Sequence, residues 1–285
     1  MTYDVGLVGV RRGSSLIRPF ELFPETRIAA LCDVNQAQLA EAGRAFALPD
    51  RALFTDYDEL LASDVDIIVI GTPMPFHADQ TVRALESGKH VLCEVTAATT
   101  IADCARIVDA ARQARGIYMM AENNCYLHYI REWKGWIDAG RLGQIVYAEC
   151  EYIHNIQDLL RDPATGNYLW RAQRPPIHYG SHSLGPILQL MNDRIVAVAC
   201  VAAGNRITGD PAPGFIDMEV ALCKTASGAV IKLLRSQVAR REPPLHAYSL
   251  YGTKGFLEHD HSSGHGDVTG RLYIEGEHDA RPGSR

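Results

Sequence analysis

The feature that most restricts what this chain can fold into is a regular alternation of short apolar runs with amphipathic ones over its first 120 or so residues. Residues 3–10, 27–33, 65–71 and 90–94 read as strands, the third nearly apolar throughout. Residues 16–23, 36–46, 75–87 and 101–114 read as helices, with 11–15 as a polar turn after the first strand. Strands apolar on both faces and separated by helices specify a parallel sheet covered on two sides. After Met119 the texture changes: one helical stretch, 129–139, is followed by strand-like runs at 144–155, 194–203, 217–224, 229–238 and 246–252. Ser227-Gly228 joins two of these runs tightly enough for a hairpin. The expected class is α/β plus α+β: a Rossmann-type parallel sheet over residues 1–121, then a mostly antiparallel sheet domain over 122–285.

A length of 285 residues suits two domains that each bury a core. The formal charge of -6, without a basic block, points away from nucleic acid and from membrane surfaces. Seven scattered cysteines without a CxxC pair read as small buried hydrophobes in a reducing compartment. With neither a leader-like amino terminus nor a membrane-length apolar stretch, a cytoplasmic location is expected. His259, Asp260, His261 and His265 resemble a metal cluster only by composition; without ligand spacing they read as a solvated loop over 258–270, and no metal is expected.

A dinucleotide fold needs a glycine turn after its first strand, because the pyrophosphate must approach bare N–H groups at a helix amino terminus. Gly9-Val10-Arg11-Arg12-Gly13-Ser14 lies there. Against GxGxxG, Gly9 takes the first position, Arg11 the second and Ser14 the third, with Gly13 displaced by one. Asp33, at the end of the second strand, strengthens the assignment: a carboxylate there accepts from ribose hydroxyls and repels a 2'-phosphate, which favours NAD over NADP. Arg11 and Arg12 leave three readings open, as pyrophosphate ligands, as 2'-phosphate ligands or as exposed surface cations.

Further on stand Gly71-Thr72-Pro73, then His77, then Ala84-Leu85-Glu86-Ser87-Gly88-Lys89-His90-Val91-Leu92-Cys93-Glu94. This arrangement resembles the glucose-fructose oxidoreductase and inositol dehydrogenase (Gfo/Idh/MocA) family, in which a T-P and a histidine precede A-L-x-x-G-K-H-V-x-x-E-K-P. The resemblance spans essentially the whole chain. It implies NAD as cofactor, a sugar or cyclitol hydroxyl as the reacting group, and a homo-oligomer assembled through an exposed sheet face. It also implies cofactor contacts from Gly9, Arg11, Arg12, Ser14, Asp33, Thr72, Pro73, His77, Glu94 and Asn123. The E-K-P lysine, which positions the reacting hydroxyl in that family, is replaced in Glu94-Val95-Thr96. Valine can neither move a proton nor hold a hydroxyl.

A narrower set of motifs comprises Glu94-Val95-Thr96-Ala97-Ala98, Met120-Ala121-Glu122-Asn123-Asn124-Cys125-Tyr126, Glu151-Tyr152-Ile153-His154 and Tyr179-Gly180-Ser181-His182-Ser183-Leu184-Gly185-Pro186. These are similar to motifs of the NAD-dependent α-N-acetylgalactosaminidases, which carry the cofactor through a full cycle without net redox change. The chain departs from that pattern at Thr96, Asn124 and Gly180-Ser181. By this resemblance Tyr152 is the general base, with His154 beside it. His182, Tyr179 and Glu122 complete the expected catalytic set, and His178 lies adjacent. Considered singly, Tyr152 reads as a packed aromatic and Glu122 as a helix-start cap. Trp133 and Trp136 read as packing, and Trp170-Arg171 as a flank of the sugar site. Three functions stay open: transient 3-oxidation and elimination on a sugar or glycoside, ordinary NAD(P)-dependent sugar or cyclitol dehydrogenation, and non-catalytic sugar or nucleotide sensing.

Overall fold

The structure is a computed structural model that describes residues 2–261 and 270–277. It divides into two compact units, Met1–Ala121 and Glu122–Arg285.

In the first unit, strands β1 (Tyr3–Val8), β2 (Thr26–Cys32), β3 (Leu53–Phe54), β4 (Ile67–Ile70), β5 (His90–Cys93) and β6 (Tyr118–Met120) form one sheet. The helices between them are α1 (Val10–Ile17), α2 (Gln36–Ala45), α3 (Tyr57–Ala62), α4 (His77–Glu86) and α5 (Ile101–Gln113). The strand order is β3-β2-β1-β4-β5-β6, and every pairing is parallel. That is the doubly wound order whose crevice lies where the winding reverses, between β1 and β4. Each face of the sheet packs its own apolar cluster, one around Ile68, Ile70 and Leu85 and the other around Leu7, Ile17 and Val69.

The first helix differs from the sequence reading. Residues 11–15 are not a turn; they are the body of α1, and residues 18–22 of the expected 16–23 helix are a 3-10 turn. The cause is Gly9, whose φ of 87° reverses the chain in a single residue. A side chain at Gly9 would come within 2.6 Å of the backbone at Gly71 and Thr72, and one on Gly71 within 2.5 Å of Gly13 Cα. These glycines let α1 start at once and lie directly against the end of β4.

The second unit contains α6 (His128–Asp138), β7 (Ile145–Ile153), α7 (Ser181–Met191), β8 (Ile195–Ala202), β9 (Glu219–Thr225), β10 (Val230–Ser236), β11 (Leu245–Gly252), β12 (Gly255–His259) and β13 (Gly270–Ile274). Its sheet runs β13-β12-β11-β7-β10-β9-β8, antiparallel except where β10 pairs with β7. Helices α6 and α7 cover one face, closing a core around Ile130, Trp133, Leu190, Ile231 and Leu250, with Trp136 packed against it. Two expectations need correction. The run 258–270 is not all loop, because Glu258 and His259 belong to β12 and Gly270 opens β13; 262–269, with His265, lie outside the described residues. Nor are the cysteines uniformly buried: Cys104 and Cys200 are exposed, because Cys104 faces outward from α5 and Cys200 sits on edge strand β8, where residues 196–202 are all exposed. Among the described residues no helix is long and apolar enough to cross a membrane, and no group of three or more His, Cys, Asp or Glu could hold a metal ion.

Asp193 ties the entry to β8 to the β9–β10 turn, accepting from Ser227 Oγ at 2.6 Å and from Arg194 N at 2.7 Å. These bonds, the Ser227 hydroxyl foremost, hold its carboxyl well below the ordinary value of 3.8. A depressed carboxyl adds stability above its unfolded pKa and loses it as pH falls through the folded one. Asp193→Asn is therefore expected to lower the melting temperature at pH 7, with the gap from the parent closing as pH falls below about 4. A gap independent of pH in thermal melts would contradict this assignment.

Candidate functional site

The dinucleotide determinants gather at the carboxyl ends of β1, β2, β4 and β5. Asp33 follows β2, and its Oδ2 accepts from Val10 N at 2.9 Å while Oδ1 accepts from Asn35 N at 2.8 Å. One carboxylate thereby fixes the glycine turn to the strand that carries it and keeps further lone pairs for ligand hydroxyls. Gly9 gives α1 no N-cap side chain and the first turn holds no acidic residue; Asp33 takes only the Val10 N–H, which leaves the next N–H groups of the helix start open to an anion. Ser14 is turned inward, donating to Val10 O at 2.6 Å within the helix. The close-packing role falls to Gly13, where a Cβ would meet Leu7 Cδ1 at 2.2 Å.

The two arginines separate in role. Arg12 Nε lies 2.5 Å from Oε1 of the buried Glu94, so its charge is largely offset. Arg11 is exposed and forms no hydrogen bond or ion pair within the described residues. His77 is buried and places Nδ1 2.7 Å from Thr96 O and Nε2 2.8 Å from Thr72 O. It acts as a brace between the segments that follow β4 and β5. Thr72 also donates to Gln80 Oε1 at 2.6 Å, and Pro73, exposed, leads into the 3-10 turn ahead of α4. Val95 is buried, where the family motif has lysine. These features, a glycine cradle, open N–H groups at a helix start and a carboxylate after β2, fit a dinucleotide.

In the second unit, strand register builds the candidate chemistry. Tyr152 on β7 pairs with Arg235 on β10 and with His246 on β11, and Arg235 pairs in turn with Glu219 on β9. Tyr152 is stacked on His246 at 4.4 Å between centroids and 5° between planes, while the Arg235 guanidinium lies 4.3 Å from its ring centre. Tyr152 Oη and His154 Nδ1 share a hydrogen bond of 3.2 Å.

Over this row lies the first turn of α7, which starts at Ser181 and places His182 within the helix. His182 Nδ1 donates to Glu122 Oε1 at 2.7 Å; this sets the tautomer and leaves Nε2 to accept from Tyr179 Oη at 3.1 Å. Glu122 also caps the short turn at Asn123–Tyr126 through Asn124 N, so its cap and site roles coexist. The His182 backbone is held as well: its carbonyl accepts from Tyr248 Oη and, at 3.3 Å, from Asn124 Nδ2. Burial pushes the Tyr248 phenol well above its ordinary value, which keeps it a donor. The Tyr152 and His182 ring centres are 6.4 Å apart. Asn123, expected at the cofactor, is exposed and belongs to the second unit.

Arg174, Arg235, His246 and Tyr248 were not singled out in the sequence. A period-two count carries the signal: Ile231, Leu233 and Arg235 share one buried face of β10, and His246, Tyr248 and Leu250 one of β11. Charged or polar residues that interrupt such a buried face mark a site. Arg174 precedes Pro175-Pro176 in irregular chain, where no periodicity exists to flag it.

The model of the family described as "Oxidoreductase family, NAD-binding Rossmann fold" matches residues 3–122, and that of the "GFO/IDH/MocA C-terminal domain" matches residues 130–258. This chain belongs to the Gfo/Idh/MocA family. Its first unit is the family's NAD-binding domain. A curated relative from Phocaeicola vulgatus, named glycosyl hydrolase family 109 protein 2, is 30% identical over 287 residues, covering 89% of this chain and 69% of that protein. Among solved structures, the aldose-aldose oxidoreductase of Caulobacter crescentus, complexed with glycerol, superposes with a TM-score of 0.81 at 24% identity, over 97% of this chain and 82% of that one. A levoglucosan dehydrogenase in complex with NADH and L-sorbose gives a TM-score of 0.78 at 21% identity, over 97% and 81% of the two chains.

For the cofactor site the expected outcome is that Asp33→Ala lowers the ratio of NAD to NADP affinity by about tenfold or more. Calorimetric titration with both nucleotides measures it, and an unchanged ratio would remove Asp33 as the selecting group.

Proposed function

We propose that this chain is an NAD-dependent enzyme that acts on a secondary hydroxyl of a sugar or glycoside by transient oxidation and elimination, without net redox change. The observation that carries the reading is a pair of separate hydrogen-bonded proton-transfer groups in one unit, Glu122–His182–Tyr179 and Tyr152–His154, with ring centres 6.4 Å apart. Simple dehydrogenation at one carbon needs a single such group. Chemistry at two neighbouring carbons needs two. The buried Val95 in place of the family's lysine supports the same reading, because the hydroxyl must then be handled from elsewhere.

When bound, NAD supplies a hydride acceptor for the sugar C3–H and a donor for its return. His182 takes the 3-hydroxyl proton at Nε2 by way of Tyr179 Oη, which donates to that nitrogen, while Glu122 steadies the charge that develops on the imidazole. The 3-ketone acidifies C2–H by delocalising the carbanion as an enolate, and Tyr152, as the phenolate left once its own proton has passed to His154 Nδ1, removes that proton. The C1–oxygen bond breaks as the enolate collapses, water adds at C1 with its released proton balancing that taken up by the departing alkoxide, and Tyr152 returns a proton to C2. His182 then gives its proton back to O3. A homo-oligomer assembled through the exposed face of the second sheet belongs to the same proposal, supported by Val201 on β8 and Leu222 on β9, which share that face and are each at least half exposed.

The test is incubation of the purified protein with NAD and a panel of nitrophenyl glycosides. Nitrophenol release without accumulation of NADH is expected, and Tyr152→Phe and His182→Ala should each lower the rate by about 10²-fold or more while NAD affinity is kept. NADH formed in proportion to sugar consumed would favour the ordinary dehydrogenase instead. Full activity in both variants would sink the site assignment.

A further inference from the structure

Two arginines in the second unit lack the partners that buried charges require. Arg174 is 7% exposed and Arg235 3% exposed. Nε and Nη1 of each are buried without a hydrogen-bond acceptor, and neither side chain forms an ion pair among the described residues. Both border one aromatic wall, their guanidinium carbons 5.2 and 5.6 Å from the Tyr179 ring centre, and Arg174 also lies 5.1 Å from that of Trp170. Contact with ring faces recovers only a small part of the hydration that a guanidinium loses on burial. Desolvation, with mutual repulsion adding to it at Arg174, pulls both down to about 10.

The neighbouring groups do not supply the missing counter-charge. Glu219, opposite Arg235 in the sheet, attracts it through space but accepts from Ile177 N at 2.7 Å and forms no hydrogen bond or ion pair with it. Glu122 is engaged with His182. An ionised Tyr152 would offset one cation at most, leaving the other. These arginines adjoin the proposed chemistry directly, since Arg235 lies against Tyr152 and both approach Tyr179, the partner of His182.

We propose that Arg174 and Arg235 form an oxyanion clamp, and that the sugar this site takes carries a carboxylate or a phosphate ester. The inference rests on the sugar-acting reading above and supplies its substrate class. Two guanidinium forks with free N–H groups match such an oxyanion in charge and shape, whereas a neutral sugar leaves both cations uncompensated. A carboxylate takes two parallel N–H bonds in one plane, and a phosphate offers three acceptor oxygens, so both chemistries fit the same pair.

The probes are D-glucose, D-glucuronate and D-glucose 6-phosphate, titrated calorimetrically into the wild-type protein with NAD present. At least one charged sugar is expected to bind about tenfold or more tighter than glucose, and the member preferred identifies carboxylate or phosphate. Arg174→Met and Arg235→Met should bring the ratio of charged to neutral affinity towards one, and Arg174→Lys should keep part of it. Equal affinity for the three sugars in the wild type, or equal absence of binding, overturns the proposal; this comparison needs no variant to fold. Because binding is read without turnover, the two readings fail separately. Charge discrimination without turnover would sink only the proposed cycle, and turnover of neutral glycosides without discrimination would sink only the clamp.

Discussion

Strand β7 is paired on both sides, in parallel with β10 and antiparallel to β11, and the chemistry of the second unit depends on that double register. Pairing brings directly opposed residues to about 5 Å and onto the same face. Tyr152 is therefore delivered between Arg235 and His246 by backbone hydrogen bonds alone, before any side chain selects a rotamer. A slip of one residue in either ladder would turn one neighbour to the opposite face. The buried residues that share a face with the functional ones, Cys150 on β7, Leu233 on β10 and Leu250 on β11, resist such a slip because each would lose its place in the core.

The helical layer completes what the sheet begins. Helix α7 sets His182 over the row, and Glu122, Asn124 and Tyr248 hold its ring and its carbonyl from separate elements. Side-chain and backbone restraint together fix both the tautomer and the direction of Nε2, and general acid–base work depends on that direction. The first unit solves a different problem in a comparable way. Gly9, Gly13 and Gly71 remove the side chains that would hold α1 away from β4, and Asp33 closes the turn by accepting from Val10 N.

Much of this was legible in the sequence. Alternation of apolar and amphipathic runs specified the parallel sheet, and the hairpin at Ser227-Gly228 appears as the β9–β10 pair. Tyr152, His154, His182, Tyr179 and Glu122, gathered from separated motifs, form two connected groups in one unit. What stayed hidden was relational. No local signal shows that Arg12 is spent on Glu94, because the two are 82 positions apart and meet only through parallel strand order. The start of α1 was misplaced because polar Arg11, Arg12 and Ser15 imitate a turn, while the single left-handed residue at Gly9 performs it. Arg235 escaped notice as one charge within an apolar strand, although its place on a buried face is what makes it chemically significant.

That Tyr152 and His182 serve neighbouring carbons of one sugar is the central claim, and carbon-bound deuterium tests it most directly. With turnover run in heavy water and the product sugar analysed by mass spectrometry and proton NMR, the prediction is one deuterium at C2, delivered by Tyr152 after the proton it removed has exchanged with solvent, and protium kept at C3. A product without deuterium at C2 would contradict it, since no proton of that carbon would then have passed to a group in exchange with solvent during the water-addition step.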